Sequence, residues 1–406
     1  MGKQINNFIK KENCYIINGE FEQTLVFIVI RAGCNNESVN QNGLAHLVEH
    51  INLSCEQMNL SSSGFTNFDQ TVFKIMLPIS VNCLSELSII LNNIIDNSII
   101  NTNTFESCKR EVLKEYYSLK EKCDQQQAIC YFITNGNIQT IPMGIPNDIN
   151  KLSINDACEY TKKNYNKNNI AIIIASSLCP LDLINTIKPF KVDIQSNKDA
   201  NETDSRYFKT KNIYYDFLFL TNNNPGPFRV EMYFQKPYKN ISLRTKIIRT
   251  LFEIMIKDYL LNKVENYILT NILVADKHIT EFYYFTDICF EVNDQNMDVR
   301  QIQSLIQVLR EIKFSEINFN TAVNLISEFT DTPNCDDIKD MFNNLLNNYL
   351  YNEPIHITDE SYKKTSKILD TLNVEDINKY KKSVLNRSAK IVIINSKTQK
   401  FEKDII

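Results

Sequence analysis

The stretch LSINDACEYTKKNYNKNNIAIIIAS, residues 152–176, aligns without a gap to LNVEDINKYKKSVLNRSAKIVIINS, residues 372–396, 220 positions later. Leu152, Asp156, Tyr160, Lys162, Asn166, Ile173, Ile174 and Ser176 meet identical residues at Leu372, Asp376, Tyr380, Lys382, Asn386, Ile393, Ile394 and Ser396. Each copy reads as an amphipathic helix followed by a buried strand. The offset is about half the 406-residue chain and each copy closes a half, so a duplicated α+β domain is the economical reading.

The length agrees, because one hydrophobic core seldom organises so many residues. In the first half QTLVFIVIRAG (23–33) and QTVFKIMLPI (70–79) pattern as strands. GLAHLVEHINLS (43–54), VNCLSELSIILNNIID (81–96) and NTFESCKREVLKEYYSLKEKC (103–123) pattern as helices, the first with Asn42 placed to cap it. In the second half strands are expected near NIYYDFLFL, FRVEMYFQ, ILTNILVAD and EFYYFTDICFEV, with a long helix over 243–265. The polar segment 191–209 is the expected join. It gives an N-terminal domain over 1–195, a linker over 196–210 and a C-terminal domain over 211–406.

Hydrophobic residues make up 43% and charged residues 23%, the balance of a globular protein. The net charge of −4 offers no overall basic field for nucleic acid or an anionic membrane, and YTKKNYNK (160–167) reads as a solvated helix face. Eleven cysteines without a CxxC pair suit a reducing compartment better than a disulfide framework or a thiolate zinc site. The first twenty residues lack the pattern of a signal peptide, organelle presequence or myristoylation site, and no apolar run reaches the ~20 residues of a membrane span. A cytoplasmic protein is expected.

Two of the four histidines, His46 and His50, stand four apart, with Glu49 beside the second. On a helix both imidazoles project from one face and can reach one ion at ~2.0–2.1 Å. His-x-x-Glu-His inverts the commoner zincin order, and in that pattern the histidines bind zinc while the glutamate serves the water. A site of this kind needs a third protein ligand. REVLKEYY offers Glu111 and Glu115, one turn apart, and spacing alone does not choose between them.

These residues and their surroundings resemble the pitrilysin/insulinase-type metallopeptidases, the inverzincins that include mitochondrial processing peptidase. The resemblance runs in order through the strand, Gly33, Glu37, GLAHLVEHI, FTNFDQTVF (65–73), FESCKREVLKEYY and MGIPNDINKLS (143–153), over almost all of residues 20–177. It implies two duplicated pitrilysin-like domains, each a mainly antiparallel sheet packed with helices. It also implies His46, His50 and Glu115 as zinc ligands, Glu49 as general base, and Glu111 as a supporting neighbour. The interval from His50 to Glu115 is short for the family, and SCEQMNLSSSG (54–64) is where a loop would shrink. Cys108 stands where the family usually carries another glutamate, and Ser63 and Gly64 replace its substrate-contacting Asn-Ala pair. The family's carbonyl-holding Arg and Tyr should fall near DYLLNKVENYILTN (258–271), which has no Arg and only Tyr259 or Tyr267 for the Tyr.

The function implied is zinc-dependent hydrolysis of short or unfolded peptides, with processing of a small precursor or leader peptide as one form of it. The substrate would lie as an added strand on a sheet edge near Ser63 to Phe68. A chain of two such domains is half of a chamber, which implies a homodimer or a heterodimer with a homologous subunit. The competing reading is a non-catalytic peptide-binding or scaffold subunit. Structural roles are expected for His278 and His356, a small buried apolar role for Cys108, and packing for Tyr259.

Overall fold

The computed structural model describes residues 5–54, 62–80, 82–96, 100–187, 215–222, 227–236, 241–263, 269–280, 283–292, 299–331, 338–357 and 359–396. The expected linker over 196–210 and most of the shortened loop lie outside them.

The first half begins with β1 (Ile5–Lys11), β2 (Cys14–Gly19) and β3 (Gln23–Ile30), followed by α1 (Leu44–Leu53). Then come β4 (Ser62–Thr66), β5 (Thr71–Pro78), α2 (Cys83–Asp96), α3 (Thr102–Ser118), α4 (Lys120–Ile133) and α5 (Pro146–Ile149). It ends in α6 (Ile154–Asn164), β6 (Ile170–Ser176) and α7 (Pro180–Ile187). The second half runs β7 (Tyr215–Asn222), β8 (Phe228–Lys236), α8 (Leu243–Lys263), β9 (Leu269–Thr280) and β10 (Tyr283–Val292). It continues through α9 (Val299–Glu311), α10 (Glu316–Asp331), α11 (Ile338–Tyr351), α12 (Asp359–Leu369), α13 (Val374–Leu385) and β11 (Ala389–Ser396). The single helix expected over 103–123 is two, broken at Leu119, whose N–H bonds back to Glu115 and Tyr116.

The two sheets repeat one topology. The first has the order β1-β2-β6-β3-β5-β4 and the second β7-β11-β8-β10-β9. In each, the last strand of the half pairs parallel with one neighbour (β6 with β2, β11 with β7), and every other pairing is antiparallel. The aligned stretches are α6–β6 and α13–β11. Their shared Asp156 and Asp376 close capping boxes with Ser153 and Asn373, satisfying orphan amides at each helix start. The fold is thus α+β with two duplicated, mainly antiparallel domains.

Each sheet is apolar on the face that meets its own helices. In the first, Val26, Ile28, Ile30, Phe73, Ile172 and Ile174 pack on α1, α2 and α6. In the second, Val230, Met232, Ile288, Ile391 and Ile393 pack on α8, α9 and α13. In β3 and β6 the burial is continuous rather than alternating, so both faces of the first sheet are covered.

The cover on the other face departs from the expected boundaries. By contacts the chain divides into a first unit of Met1–Gln127, Gln139–Asn201 and Asn334–Thr358, and a second of Ala128–Ile138, Glu202–Pro333 and Asp359–Ile406. In the first unit the stripe Met341, Phe342, Leu345, Leu346 and Tyr349 of α11 lies on Tyr15, Ile17, Phe27, Val29, Ile173 and Ala175, with Phe27 and Phe342 stacked at 4.0 Å. In the second unit the end of α4 joins the sheet: Lys390 Nζ lies 4.8 Å over the Phe132 ring, and Asn137 donates to the Tyr283 hydroxyl at 2.6 Å. No helix among the described residues is long and apolar enough to cross a membrane.

Candidate metal centre

Helix α1 is held by its N-terminus. Asn42 does not cap it as expected, because its side chain donates to Asp148. Gly43 takes the cap position at φ 99°, and the side chain of Glu37 accepts the amides of Gly43 at 3.1 Å and Ala45 at 2.8 Å. Burial pushes Glu37 up to about 8, against the amides of Ala45, Gly43 and Leu44 that favour its charged form. Gly43 and Gly144, both at positive φ, are pressed together so closely that a Cβ on Gly144 would lie 2.3 Å from Gly43 Cα. Leu44, Leu47, Val48 and Ile51 anchor α1 in the core, which turns His46, Glu49 and His50 towards α3 and β4.

Helix α3 starts at Asn101, whose side chain accepts the Thr104 amide at 3.0 Å. Its buried stripe is Phe105, Cys108, Val112 and Tyr116. This orientation brings Glu115 to the histidines. Its Oε2 is 3.6 Å from His46 Nε2 and 3.4 Å from His50 Nε2, and the two Nε2 atoms are 3.2 Å apart. Between the two carboxylates that spacing left open, Glu115 is the one at both Nε2 atoms. Glu111 instead stands 3.6 Å from Nδ1 of His50.

The donor set fits a metal ion. A tetrahedral ion with ligands at ~2.0–2.1 Å separates its ligand atoms by about 3.4 Å, close to all three edges of this triangle. Two imidazole lone pairs and a carboxylate oxygen facing one point also repel unless a proton or a metal ion lies among them. Burial, and then His50, hold His46 down at about 4, so its ring is neutral at physiological pH, the form that ligates. Its Nδ1 faces the carbonyl of Met143 but lies outside hydrogen-bonding geometry. Among the described residues His46, His50 and Glu115 are the one cluster of three or more such side chains placed to hold a metal.

Glu49 is buried beside the cluster, and Thr66 of β4 donates to its Oε2 at 2.7 Å. Burial raises Glu49 to about 7, with the Thr66 bond opposing and the charge of Glu115 adding to the rise. Ser63 and Gly64 lie on β4, the last strand of the sheet. Gly64 was expected at the substrate edge, whereas the bond from Thr66 to Glu49 and the Met143 carbonyl were not singled out from sequence. All three sit in segments that carry the family resemblance.

The other candidates lie elsewhere. The Cys108 thiol is buried beside Ser54. His278 is on β9 and His356 follows α11, where its amide bonds to Asn344 at 2.8 Å. Tyr259 is half-buried against the second core, and Tyr267 falls outside the described residues. In the second unit Asp276 of β9 pairs with Lys236 and Arg249.

Residues 18–136 match the insulinase model, peptidase family M16. No curated protein sequence matches significantly. Among solved structures, the periplasmic protease PqqL from Escherichia coli shares the fold with a TM-score of 0.76 and 16% identity, over 97% of this chain and 48% of PqqL. This chain thus spans about half of PqqL's length. A protease from Helicobacter pylori gives 0.68 and 13%, over 96% of this chain and 99% of its own. A chain of complex III2 from Candida albicans gives 0.71 and 10%, over 96% and 95%. Residues 18–136 are thus similar to the insulinase family (peptidase family M16), and the chain as a whole shares its fold with solved proteases.

Proposed function

We propose that this chain is a zinc-dependent endopeptidase acting on short or unfolded peptides. The carrying observation is the triangle of His46 Nε2, His50 Nε2 and Glu115 Oε2 with sides of 3.2–3.6 Å. When bound there, zinc supplies Lewis acidity, polarising a carbonyl and making water acidic enough to lose a proton near neutral pH. Glu49, held by Thr66 and raised towards 7, is placed to take that proton and hand it to the departing amine. The outer edge of β4 offers main-chain groups to an extended peptide, and Phe65, 44% exposed, lies on it. Such binding reads backbone more than side chains, which suits turnover of peptides or removal of a leader from a small precursor.

A dimer with a second copy or a homologous chain is part of the proposal, supported by the match to half of PqqL's length. The nine described cysteines are all free thiols, which supports a reducing, cytoplasmic setting. Two measurements test the catalytic reading. Protein purified without chelator should hold about one zinc per chain. Glu49→Gln should keep the metal while peptide cleavage drops by roughly 10²–10⁴-fold. Unchanged cleavage in that variant removes the mechanism.

A second reading, a non-catalytic peptide-binding or scaffold subunit, draws on Cys108 and on the lack of an Arg in residues 258–271. A chain that takes up no zinc after supplementation would favour it.

A further inference from the structure

Two carboxylates of α3 face α1, and only one is spoken for by the metal triangle. Oε2 of Glu111 lies 3.6 Å from Nδ1 of His50, on the side of the ring away from Glu115. The contacts follow an antiparallel order: His46 meets Glu115, while His50 meets both Glu115 and Glu111. Each pair is one helical turn apart, so the two helices present matched steps of about 6 Å. Glu115 sits between the two Nε2 atoms, and Glu111 falls behind the second ring.

An imidazole offers its Nε2 lone pair only when the proton is on Nδ1, and the Nδ1 partner fixes that choice. His46 faces a neutral main-chain carbonyl, that of Met143. His50 faces a carboxylate, which makes the ring a stronger donor. Cys108, one turn before Glu111, is buried beside Ser54 and brings no charge to either ring. The Glu111 side chain is 60% exposed and contributes little to the core.

Resting on the zinc reading above, we infer that Glu111 is a positioning residue of the metal centre. It holds His50 with its proton on Nδ1 and its Nε2 turned to the ion, and its charge strengthens the binding of that ion.

The test compares wild type, Glu111→Gln, Glu111→Ala and Glu115→Ala in the full chain. Zinc affinity is read by competition with a chromophoric chelator, the coordination sphere by the visible spectrum of the cobalt(II) form, and folding by thermal melting of the metal-free protein. Glu111→Ala should weaken zinc by roughly 10–100-fold. Glu111→Gln, which keeps an acceptor oxygen and loses the charge, should recover part of that loss. The cobalt bands should shift in Glu111→Ala while the metal-free melting midpoint stays put. Unchanged affinity and spectrum in Glu111→Ala, with wild type binding zinc and Glu115→Ala not, overturns the inference and leaves the zinc reading standing. A fall in affinity matched by a fall in the metal-free midpoint also overturns it, since the role is then structural. A wild type that binds no zinc overturns both.

Discussion

The backbone of Gly64 lies against the carboxylate of Glu49, so that a Cβ there would come within 2.7 Å of Oε1. Glycine at this point leaves room for the base between helix and edge strand. Gly64→Ala should push the carboxylate aside while leaving both histidines and Glu115 in place. We expect peptidase turnover to fall by about 100-fold, the scale of a 1 Å misplacement, with zinc content unchanged. Turnover assays with a quenched fluorescent peptide, alongside metal analysis, decide it; full turnover would mean the strand yields freely.

Glu37 makes stability depend on pH. Folding raises it from an ordinary carboxyl value to about 8, so between roughly 4.5 and 8 the folded chain binds a proton that the unfolded chain has released. That contribution therefore favours folding at lower pH and is lost as pH rises to 8. Glu49 and Asp287, both raised to about 7 chiefly by burial, act in the same direction, whereas His46 opposes them only below its ordinary value near 6.5. In the metal-free protein the melting midpoint should fall from pH 6.5 to pH 8, and less steeply in Glu37→Gln. Equal slopes would show that Glu37 does not titrate in this range.

The duplicated caps should be energetically alike. Ser153→Ala and Asn373→Ala each remove a side-chain acceptor from the start of the repeated helix. Each should cost about 1 kcal/mol in chemical denaturation. A negligible cost at either site would mean that the shared aspartate alone suffices there.

Asp276 should matter to the second unit and not to the metal. Arg249 lies 2.9 Å from it, Lys236 also pairs with it, and the hydroxyls of Tyr284 and Thr286 bond to it. Burial works against its charge, and the two cations outweigh burial and hold the carboxyl below its ordinary range. Burial also lowers Lys236, but a lysine starts so far above neutrality that the pair stays ionic. Asp276→Ala removes the carboxylate that Lys236 and Arg249 share and should destabilise the protein by about 3–5 kcal/mol. Zinc affinity of the folded variant should equal that of wild type, and a parallel loss would contradict the separation.

Helical spacing was enough to put His46, Glu49 and His50 on one face, because the apolar residues between them have only one way to turn into a core. It could not separate Glu111 from Glu115, since one turn of helix leaves both on the same side. The choice is made by how α3 is seated through Phe105, Val112 and Tyr116. The break at Leu119 left no mark either: the run from 103 to 123 has no glycine or proline, and periodicity alone carries it through. The capping role of Glu37 was hidden by distance, as a side chain six to eight residues before the amides it accepts is not a local signal.

The same limit applied to α11. Its apolar stripe announced a buried face, but amphipathicity does not say which sheet receives it. The continuous apolar run IAIIIAS of β6 did say that its sheet needed cover on both sides.

That late cover sets an order of events during synthesis. Until the ribosome has delivered residues 338–351, the first sheet has one oily side open to solvent, including Tyr15, Ile17 and Phe27. A fragment cut after the first half would carry the whole histidine helix and still lack the lid on its sheet. It should be sticky and short-lived, and adding back the α11 segment as a separate peptide should quieten it.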